Sequence, residues 1–455
     1  MTSDSKKEKI VVCRDIGEAG EGIGKPEDGK TCFVPGLLPG ETAEVAITHS
    51  SASWSRARIS GIITTSPGRC TPRCGIFGTC GGCQIQHLDY TYQVRFKTEK
   101  VRNCLIKIGR IQNPSVQDCL PSAEPYGYRN KLTLPVQGTS SSPVIGFYKP
   151  DSHHAVPLAH CPVAAFPHQP ILDAVRNVIT SGKIPIYQEG KRKGLLRHLI
   201  LRYSETENKI LAVAVFTKWD SVFAARIADA LAPFENVKGI VININNTPGN
   251  VILGKKYIPV RGDCFLSESI LGIPSVIRAG SFSQLNTRQA ALLYRTTLDC
   301  ITRDVHSNRD EKITELFCGS GIISFLAAKK FKKITGIENS PESVETARET
   351  ASQLGLDNTE FICTDAAAGF KNQLQNGTMG KYLIVNPPRK GLSEDLINSI
   401  GESNVKKMVY ISCKPSTLAR DAALLIEKGF QHGLIQPVDM FPQTTHVETV
   451  MEFYR

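Results

Sequence analysis

The C-terminal part of the chain alternates short apolar runs with longer amphipathic segments. From about residue 280, strand-like runs such as KITELF, KITGIE, EFICTD, YLIVNPP and KMVYISC alternate with helical segments such as ESVETARETASQLG and STLARDAALLIEKG. Strands that alternate with helices form right-handed βαβ crossovers. The pattern predicts an α/β fold with a mainly parallel, doubly wound sheet.

The first 265 residues follow other patterns. Residues 9–62 hold short β-rich runs broken by Gly, Pro and Asp, which predict a small β-barrel; spacing alone leaves open whether it is an oligonucleotide-binding barrel. Residues 90–111 have apolar positions at helical spacing with basic residues between them. Strand-like runs and one helical pattern (169–180) make 126–265 a mixed α+β body. We predict three domains, at 1–64, 65–265 and 266–455, in line with a chain of 455 residues.

Charge and cysteine content narrow the class of protein. Lys and Arg (54) exceed Asp and Glu (43) by 11, which favours a polyanionic partner such as nucleic acid over an inert basic surface. The start MTSDSKKEKI has no apolar segment typical of secretion, and no apolar run is long enough for a membrane span. We therefore expect a soluble cytoplasmic protein whose fourteen cysteines are reduced and free to bind metal or to react.

Polar residues follow successive strands of the predicted sheet. A Gly-x-Gly turn lies between a strand and a helix in ELFCGSGIISFLAA, and it indicates either a ligand loop or simply a tight turn. Because strand ends meet at one edge of a parallel sheet, the side chains after the next three strands should line the same site. These residues are Glu338, Asp365 and Asn386. Ser324 replaces the third glycine of the dinucleotide fingerprint, so NAD is disfavoured.

Two groups of cysteines stand out. Cys413 follows the apolar run MVYIS and precedes Lys-Pro, so it should end a strand, either as a reactive thiol or as a small buried side chain. Cys74, Cys80 and Cys83 lie in a Gly-rich loop, and Cys161 is the best fourth ligand. Their spacing leaves zinc, an iron–sulfur cluster and no metal all open. Cys70 is not assigned.

The order of these motifs resembles that of the bacterial RNA 5-methyluridine methyltransferase family. The resemblance rests on GSFSQLNTRQAALLY, VNPPRKGL, VYISCKPSTLARD and DMFPQTTHVET, together with the Gly-x-Gly segment. It implies a Rossmann-like class I methyltransferase domain that binds S-adenosylmethionine. The residues it places in the cofactor pocket are Gln284, Phe317, Ile322, Glu338, Asp365 and Asn386. The family usually has Asp at the position of Asn386, so we expect an effect on cofactor affinity or on rate.

The resemblance also implies a covalent mechanism. Cys413 would add to carbon 6 of uracil, and Glu448 would remove the proton from carbon 5, with His446 tuning or orienting Glu448. Lys414 and Arg420 would favour the thiolate form of Cys413.

The N-terminal half resembles the accessory parts of the family's ribosomal-RNA members. PRCGIFGTCGGCQIQHLDY is similar to their [4Fe–4S] segment, and the barrel is similar to a TRAM domain. The implied RNA contacts are Trp54, Arg56 and Arg58 in the barrel and, in KRKGLLRHLILR, Lys191 to Lys193, Arg197, His198 and Arg202. The helix near 90–111 could pack on the catalytic domain. We expect a monomer that acts on RNA, with 23S ribosomal RNA as the target by analogy.

Other functions remain open at this point. Transfer RNA is the alternative substrate within the family. Asn-Pro-Pro also resembles the motif of amino-group methyltransferases, which need no cysteine nucleophile, and a cytosine-5 methyltransferase would also use a cysteine. An iron–sulfur RNA-binding protein without catalysis is the alternative from another class.

Overall fold

The computed structural model describes residues 8–26, 28–303 and 311–455. Five strands form a closed N-terminal barrel: β1 (Glu8–Ile16), β2 (Glu21–Lys25), β3 (Thr31–Pro35), β4 (Thr42–Ser50) and β5 (Trp54–Thr64). The order is β1-β2-β3-β5-β4, and β1 pairs with β4 to close the sheet. Val11, Val34 and Val45 point inwards and are fully buried, as expected where alternate side chains fill a small barrel. The predicted barrel is confirmed.

A Cys-rich segment without regular structure leads from the barrel to helix α1 (Tyr90–Lys107). Asp89 caps this helix by accepting a hydrogen bond from the Thr91 backbone N–H, at 3.0 Å. Val101 and Leu105 are fully buried on one side of α1.

The central body is a seven-stranded sheet with two helices. Its strands are β6 (Lys131–Thr139), β7 (Ser142–Tyr148), β8 (Ala155–Pro157), β9 (Leu196–Ser204), β10 (Lys209–Phe216), β11 (Val237–Ile244) and β12 (Lys256–Gly262). The helices are α2 (Gln169–Gly182) and α3 (Ser221–Leu231), and a short 3-10 helix covers Glu189–Lys191. The order β12-β11-β10-β9-β6-β7-β8 places β9 in the middle of the sheet. Both faces of β9 are covered, because eight of its nine residues are buried.

The C-terminal body is the predicted doubly wound sheet. A hairpin, β13 (Phe265–Ile270) and β14 (Ile273–Arg278), precedes it. The strands are β15 (Lys312–Leu316), β16 (Lys333–Glu338), β17 (Thr359–Cys363), β18 (Tyr382–Val385), β19 (Lys407–Ser412), β20 (Gln431–Val438) and β21 (Glu448–Tyr454). The helices are α4 (Thr287–Thr302), α5 (Ile322–Ala327), α6 (Pro341–Gln353), α7 (Ala366–Gln375), α8 (Glu394–Glu402) and α9 (Pro415–Glu427). The order is β17-β16-β15-β18-β19-β21-β20; all neighbours are parallel except β21, which is antiparallel to β19 and β20.

The bodies pack tightly on one another. Helix α1 lies against α9, and its Val101 and Leu105 join the hydrophobic core of the C-terminal sheet. Leu266 and Ile277 of the β13–β14 hairpin pack on the central sheet instead. The predicted domain limits at 64/65 and 265/266 stay a prediction.

In the part of the chain that the structure describes, no helix combines the length and the apolar character that crossing a bilayer requires.

Candidate active site

The carboxyl ends of β15 and β18 meet where the strand order of the C-terminal sheet reverses. Such a switch point is where open α/β sheets bind ligands. Phe317 follows β15 in a left-handed conformation (φ 60°), and Gly319 and Gly321 follow with φ values of 55° and 82°. A Cβ placed on Gly319 would meet no atom of the described residues within 4 Å. The loop is therefore shaped to let a ligand approach its backbone closely.

Polar groups surround this loop. The Glu338 carboxylate accepts hydrogen bonds from the backbone N–H of Gly319 (3.1 Å), Asn339 (2.9 Å) and Ser340 (2.9 Å), so it orders the loop from the end of β16. The Asn386 N–H donates to the Leu316 carbonyl at 3.3 Å, which fixes the half-buried Asn386 beside the same loop.

The other predicted cofactor residues differ in their surroundings. Ile322 is half-buried at the first position of α5. Asp365 is exposed and caps α7, where its carboxylate accepts hydrogen bonds from the N–H groups of Ala367 and Ala368. Asp365 therefore already has a structural role at the end of β17.

Gln284 belongs to a loop between β14 and α4, which we call the Gln284 loop (residues 279–286). The Gln284 side chain interacts with the hydroxyl of the buried Tyr294 on α4. Two residues earlier, Phe282 is 82% exposed, the highest value among the large apolar side chains of the described residues.

Cys413 and Glu448 come together at adjacent strand ends. Cys413 directly follows β19, Glu448 opens the antiparallel β21, and the register pairs Ser412 with Thr449. Cys413 therefore lies one residue beyond the end of this ladder, close enough to Glu448 for the Glu448 charge to act on its thiol. Pro415 opens α9 two residues after Cys413 and prevents β19 from continuing. The structure brings the two predicted catalytic residues together.

Burial dominates the electrostatics of this pair. It raises the pKa of the Cys413 thiol, and Glu448 raises it further, whereas Arg389 lowers it. Burial also raises the pKa of Glu448 to about 7, against a smaller lowering by Arg389. Burial and neighbouring cations, Arg389 first among them, lower the pKa of His446 to about 4, so this imidazole is neutral at pH 7.

The prediction that Lys414 and Arg420 favour the thiolate form of Cys413 is wrong. The Arg420 guanidinium is bound to Asp421, at 2.6 and 2.8 Å, and to the Lys390 carbonyl, and it is not among the main influences on the Cys413 thiol. Lys414 is the cap residue of α9 and is not among the main influences on Cys413. Arg389, in VNPPRKGL, is the cation that lowers the pKa of both Cys413 and Glu448. The signal in the sequence that could have found Arg389 is its position as a basic residue directly after Asn-Pro-Pro at a strand end.

The segment before Glu448, which we call the 439–447 loop, is held by helix α1. Lys97 of α1 donates to the Asp439 carboxylate at 2.5 Å and to the Phe441 carbonyl at 3.0 Å. Tyr90 donates to the second oxygen of Asp439 at 2.9 Å. Lys97 and Asp439 are both fully buried, so this is an interior ion pair.

Other parts of the chain bind the same loop. Gln443 has a left-handed backbone (φ 70°), and its carbonyl accepts from the N–H groups of Gln84 and Ile85, at the end of the Cys-rich segment. Tyr128 donates to the Pro442 carbonyl at 2.8 Å. The Thr445 hydroxyl donates to the Glu18 carbonyl of the barrel at 2.6 Å. The conformation that presents Glu448 therefore depends on all three bodies.

The four predicted cluster ligands line one pocket. Cys74, Cys80, Cys83 and Cys161 surround it together with Arg129 and Phe147. Burial raises the pKa of the Cys83 thiol to about 12 and raises those of Cys80 and Cys161, while Arg129 lowers all three. Within the described ranges, no three Cys, His, Asp or Glu side chains group closely enough to hold a single metal ion. The metal site stays a prediction.

The predicted RNA contacts divide into two sets. Trp54 is 39% exposed and its ring lies 5.0 Å from that of His49; Arg56, Arg58 and Lys191 to Lys193 are also exposed. In contrast, Arg197, His198 and Arg202 are buried in β9. As surface contacts these three were predicted wrongly, because β9 is covered on both faces.

Comparisons with known proteins agree with this architecture. The family model described as tRNA (uracil-5-)-methyltransferase matches residues 276–454, and the TRAM domain model matches residues 11–59. An uncharacterized RNA methyltransferase from Clostridium acetobutylicum is 36% identical over 96% of this chain and 95% of its own. Another, from Listeria innocua, is 35% identical over 97% and 96% of the two chains.

A solved structure matches along the whole chain. The Pyrococcus abyssi tRNA (uracil-54, C5)-methyltransferase in complex with S-adenosyl-L-homocysteine covers 99% of this chain and 100% of its own, with a TM-score of 0.76 and 25% identity. The fold is that of a class I methyltransferase with a small N-terminal barrel. The chain belongs to the S-adenosylmethionine-dependent RNA uracil-5-methyltransferase family and carries a TRAM domain.

Proposed function

We propose that this enzyme methylates carbon 5 of a uridine in RNA through a transient bond between Cys413 and carbon 6 of uracil. The observation that carries the proposal is the placement of Cys413 close to Glu448 at the ends of two paired strands, with Arg389 acting on both. Carbon 5 of uracil is a poor nucleophile until a thiolate adds to carbon 6 and leaves an enolate.

The reaction assigns one task to each residue. Cys413 loses its thiol proton to solvent and, as a thiolate, adds to carbon 6, so that the electrons of the carbon 5–carbon 6 double bond form an enolate. Carbon 5 of the enolate then attacks the methyl group, and the bond between that methyl group and its sulfur breaks. S-adenosylmethionine supplies that methyl group as a sulfonium. Glu448 removes the proton from carbon 5, and the electrons of that C–H bond expel the Cys413 thiolate. A carboxyl with a pKa of about 7 is well matched to this step at neutral pH.

Residues at the switch point would hold the cofactor. Gly319 leaves open space in front of its loop, which fits a ligand lying against the backbone, whereas Gly321 packs against the rings of Phe361 and Phe325. By the family resemblance, Gln284, Phe317, Glu338 and Asn386 would line this space, with Ile322 and Asp365 at its edge. Asn386 can accept and donate hydrogen bonds but brings no negative charge to a cationic donor.

The covalent adduct is tested by trapping. With RNA that contains 5-fluorouridine, the fluorine replaces the hydrogen that Glu448 removes, so the adduct on Cys413 should persist and be found by mass spectrometry. Cys413→Ala should form no adduct and no 5-methyluridine, while Cys264→Ala should do both. Methylation by Cys413→Ala at the wild-type rate would refute the covalent mechanism and favour an amino-group enzyme.

We also propose that Cys74, Cys80, Cys83 and Cys161 hold a [4Fe–4S] cluster. Their shared pocket supports this. In a cuboidal cluster each thiolate binds a different iron, so the four sulfurs lie further apart than the ligands of one ion. The cluster would cross-link a loop that has no hydrophobic core. Anaerobically purified protein should contain about four irons per chain, and Cys161→Ser should lose them while Cys70→Ser keeps them.

We propose 23S ribosomal RNA as the substrate and a monomer as the active form. The cysteine set and the barrel support ribosomal RNA, whereas the tRNA family model and the archaeal tRNA enzyme favour transfer RNA. Mapping 5-methyluridine in both RNA classes from a deletion strain decides between them. Loss of the modification from transfer RNA alone would refute the ribosomal assignment, and light scattering of the purified protein tests the monomer.

A further inference from the structure

Two buried side chains of the central sheet reach across to the Gln284 loop. Asn130, just before β6, donates through its side-chain amide to the Gln284 carbonyl at 2.9 Å and to the Thr287 hydroxyl at 3.1 Å. Its backbone N–H donates to the Leu285 carbonyl, also at 2.9 Å. Asn130 is 4% exposed and therefore acts as an interior anchor.

Arg202 of β9 holds the first half of the same loop. Its guanidinium donates to the carbonyls of Arg278 (2.6 Å), Ala279 (3.3 Å) and Ser281 (2.6 Å) and to the Ser283 hydroxyl (2.7 Å). The side chain is 1% exposed, and its charge is met by these neutral oxygens. Burying a cation away from water is costly. A buried arginine at this position therefore indicates that the loop conformation needs several hydrogen-bond donors at one point.

Both anchors belong to one rigid part of the sheet. Lys131, next to Asn130, pairs with Arg202 in the ladder between β6 and β9, and the Tyr203 N–H donates to the Asn130 carbonyl at 2.8 Å. The Gln284 loop is therefore anchored to β6 and β9, at the centre of the central sheet.

The hydrogen bonds from Asn130 and Arg202 hold the Gln284 loop in one conformation. It holds Phe282 out in solvent and directs Gln284 towards Tyr294. A free loop would gain by covering the phenyl ring, so fixed backbone contacts on both sides of Phe282 are needed to keep it exposed.

We propose that Arg202, assisted by Asn130, is a positioning residue for methyl transfer, because it fixes the Gln284 loop in the form that meets cofactor and RNA. The inference rests on the proposed function above. A guanidinium can serve several carbonyls in one plane, whereas a lysine ammonium on a shorter reach serves fewer. Arg202 thus links the central body to the catalytic site without touching a substrate.

The chain offers a matched control. Arg197 lies on the same strand, is 5% exposed, and donates to the carbonyls of Asn245 and Thr247, which belong to the central body alone. Arg197→Met and Arg202→Met should both lower the melting temperature. A purely structural role predicts that their kinetics, per folded molecule, are also alike.

The test compares Arg202→Met, Arg202→Lys, Ser283→Ala and Arg197→Met. We expect Arg202→Met to weaken S-adenosylmethionine binding in calorimetry and to lower the single-turnover rate about 100-fold, the cost of a misplacement near 1 Å. Arg202→Lys should recover part of that rate, and Ser283→Ala should lose up to about tenfold, equal to one hydrogen bond. Arg197→Met should keep the wild-type rate and cofactor affinity.

Two results would overturn the proposal. One is equal kinetics for Arg202→Met and Arg197→Met. The other, which still applies if Arg202→Met does not fold, is that Ser283→Ala and Arg202→Lys both keep wild-type rate and cofactor affinity. A wild-type protein that forms no 5-methyluridine would instead refute the proposed function, so the two failures are distinguishable.

Discussion

The buried ion pair between Lys97 and Asp439 should be among the most sensitive points of the molecule. Both side chains are fully buried, and they join α1 to the loop that precedes Glu448. Lys97→Met keeps the length and apolar character of the stem but removes the ammonium. The Asp439 carboxylate then keeps only its hydrogen bonds from Tyr90 (2.9 Å) and from the Phe441 N–H (3.2 Å).

The expected cost follows from this burial. Removing one partner of a buried pair leaves an uncompensated charge and costs about 3–5 kcal/mol. At about 2–4 °C per kcal/mol for a body of this size, the melting temperature should fall by about 6–20 °C. Lys333 and Glu360 also form an ion pair, at 2.7 Å, but their side chains are 48% and 49% exposed. Lys333→Met should therefore cost at most about 1 kcal/mol.

The assay is thermal and urea unfolding of wild type, both single variants and the double variant Lys97→Met/Asp439→Asn. The double variant has no unpaired charge, so it should be more stable than Lys97→Met alone. Because the 439–447 loop presents Glu448, Lys97→Met should also slow methyl transfer at temperatures where it is folded. If Lys97→Met and Lys333→Met unfold at the same temperature, the loss of the buried Lys97–Asp439 pair does not cost the stability expected from its burial.

Three further changes test the site. Burial raises the pKa of Glu448 to about 7, and only the ionised carboxylate accepts a proton, so tritium release from carbon 5 should increase between about pH 6 and 8. Glu448→Gln should abolish tritium release and accumulate the covalent adduct. A rate of release that does not change with pH would exclude Glu448 as the base. Asn386→Asp should tighten S-adenosylmethionine binding by up to about tenfold in calorimetry, since a charged acceptor is stronger than an amide; weaker binding would contradict the assigned contact. If the Phe282 ring stacks on a base, Phe282→Ala should weaken RNA binding by about 1–3 kcal/mol. Trp219→Ala, which removes an exposed ring of the central body, should leave RNA binding unchanged, and equal effects of the two variants would argue against an RNA contact at Phe282.

Periodicity explains why much of the fold was predictable. Strands of the C-terminal sheet are short apolar runs between amphipathic helices, so their carboxyl ends could be located, and with them Glu338 and Asn386. Cys413 was located in the same way, since Pro415 marks where β19 must stop. Local signals of this kind need no knowledge of distant residues.

The wrong predictions all involve basic residues whose partners are far away in sequence. Arg197 and His198 were assigned to RNA because they lie within an apolar strand pattern, but β9 is central and covered on both sides. Arg420 was assigned to the thiol because it is near in sequence, yet its neighbour Asp421 binds it. No role was predicted for Arg389, because 24 positions separate it in sequence from the thiol that it influences. Charge placement depends on tertiary contacts that a single sequence does not contain.

The strained backbone at Gln443 shows how the accessory bodies and the chemistry are connected. A non-glycine residue at φ 70° costs free energy and persists only when its surroundings hold it. Here the hydrogen bonds come from Gln93 of α1 and from the end of the Cys-rich segment, five residues before Glu448. This loop leads directly into Glu448, so we expect binding that shifts α1 or the Cys-rich segment to shift Glu448 as well. The barrel and the Cys-rich segment therefore support the loop that precedes Glu448, and we expect RNA bound by them to act on that loop.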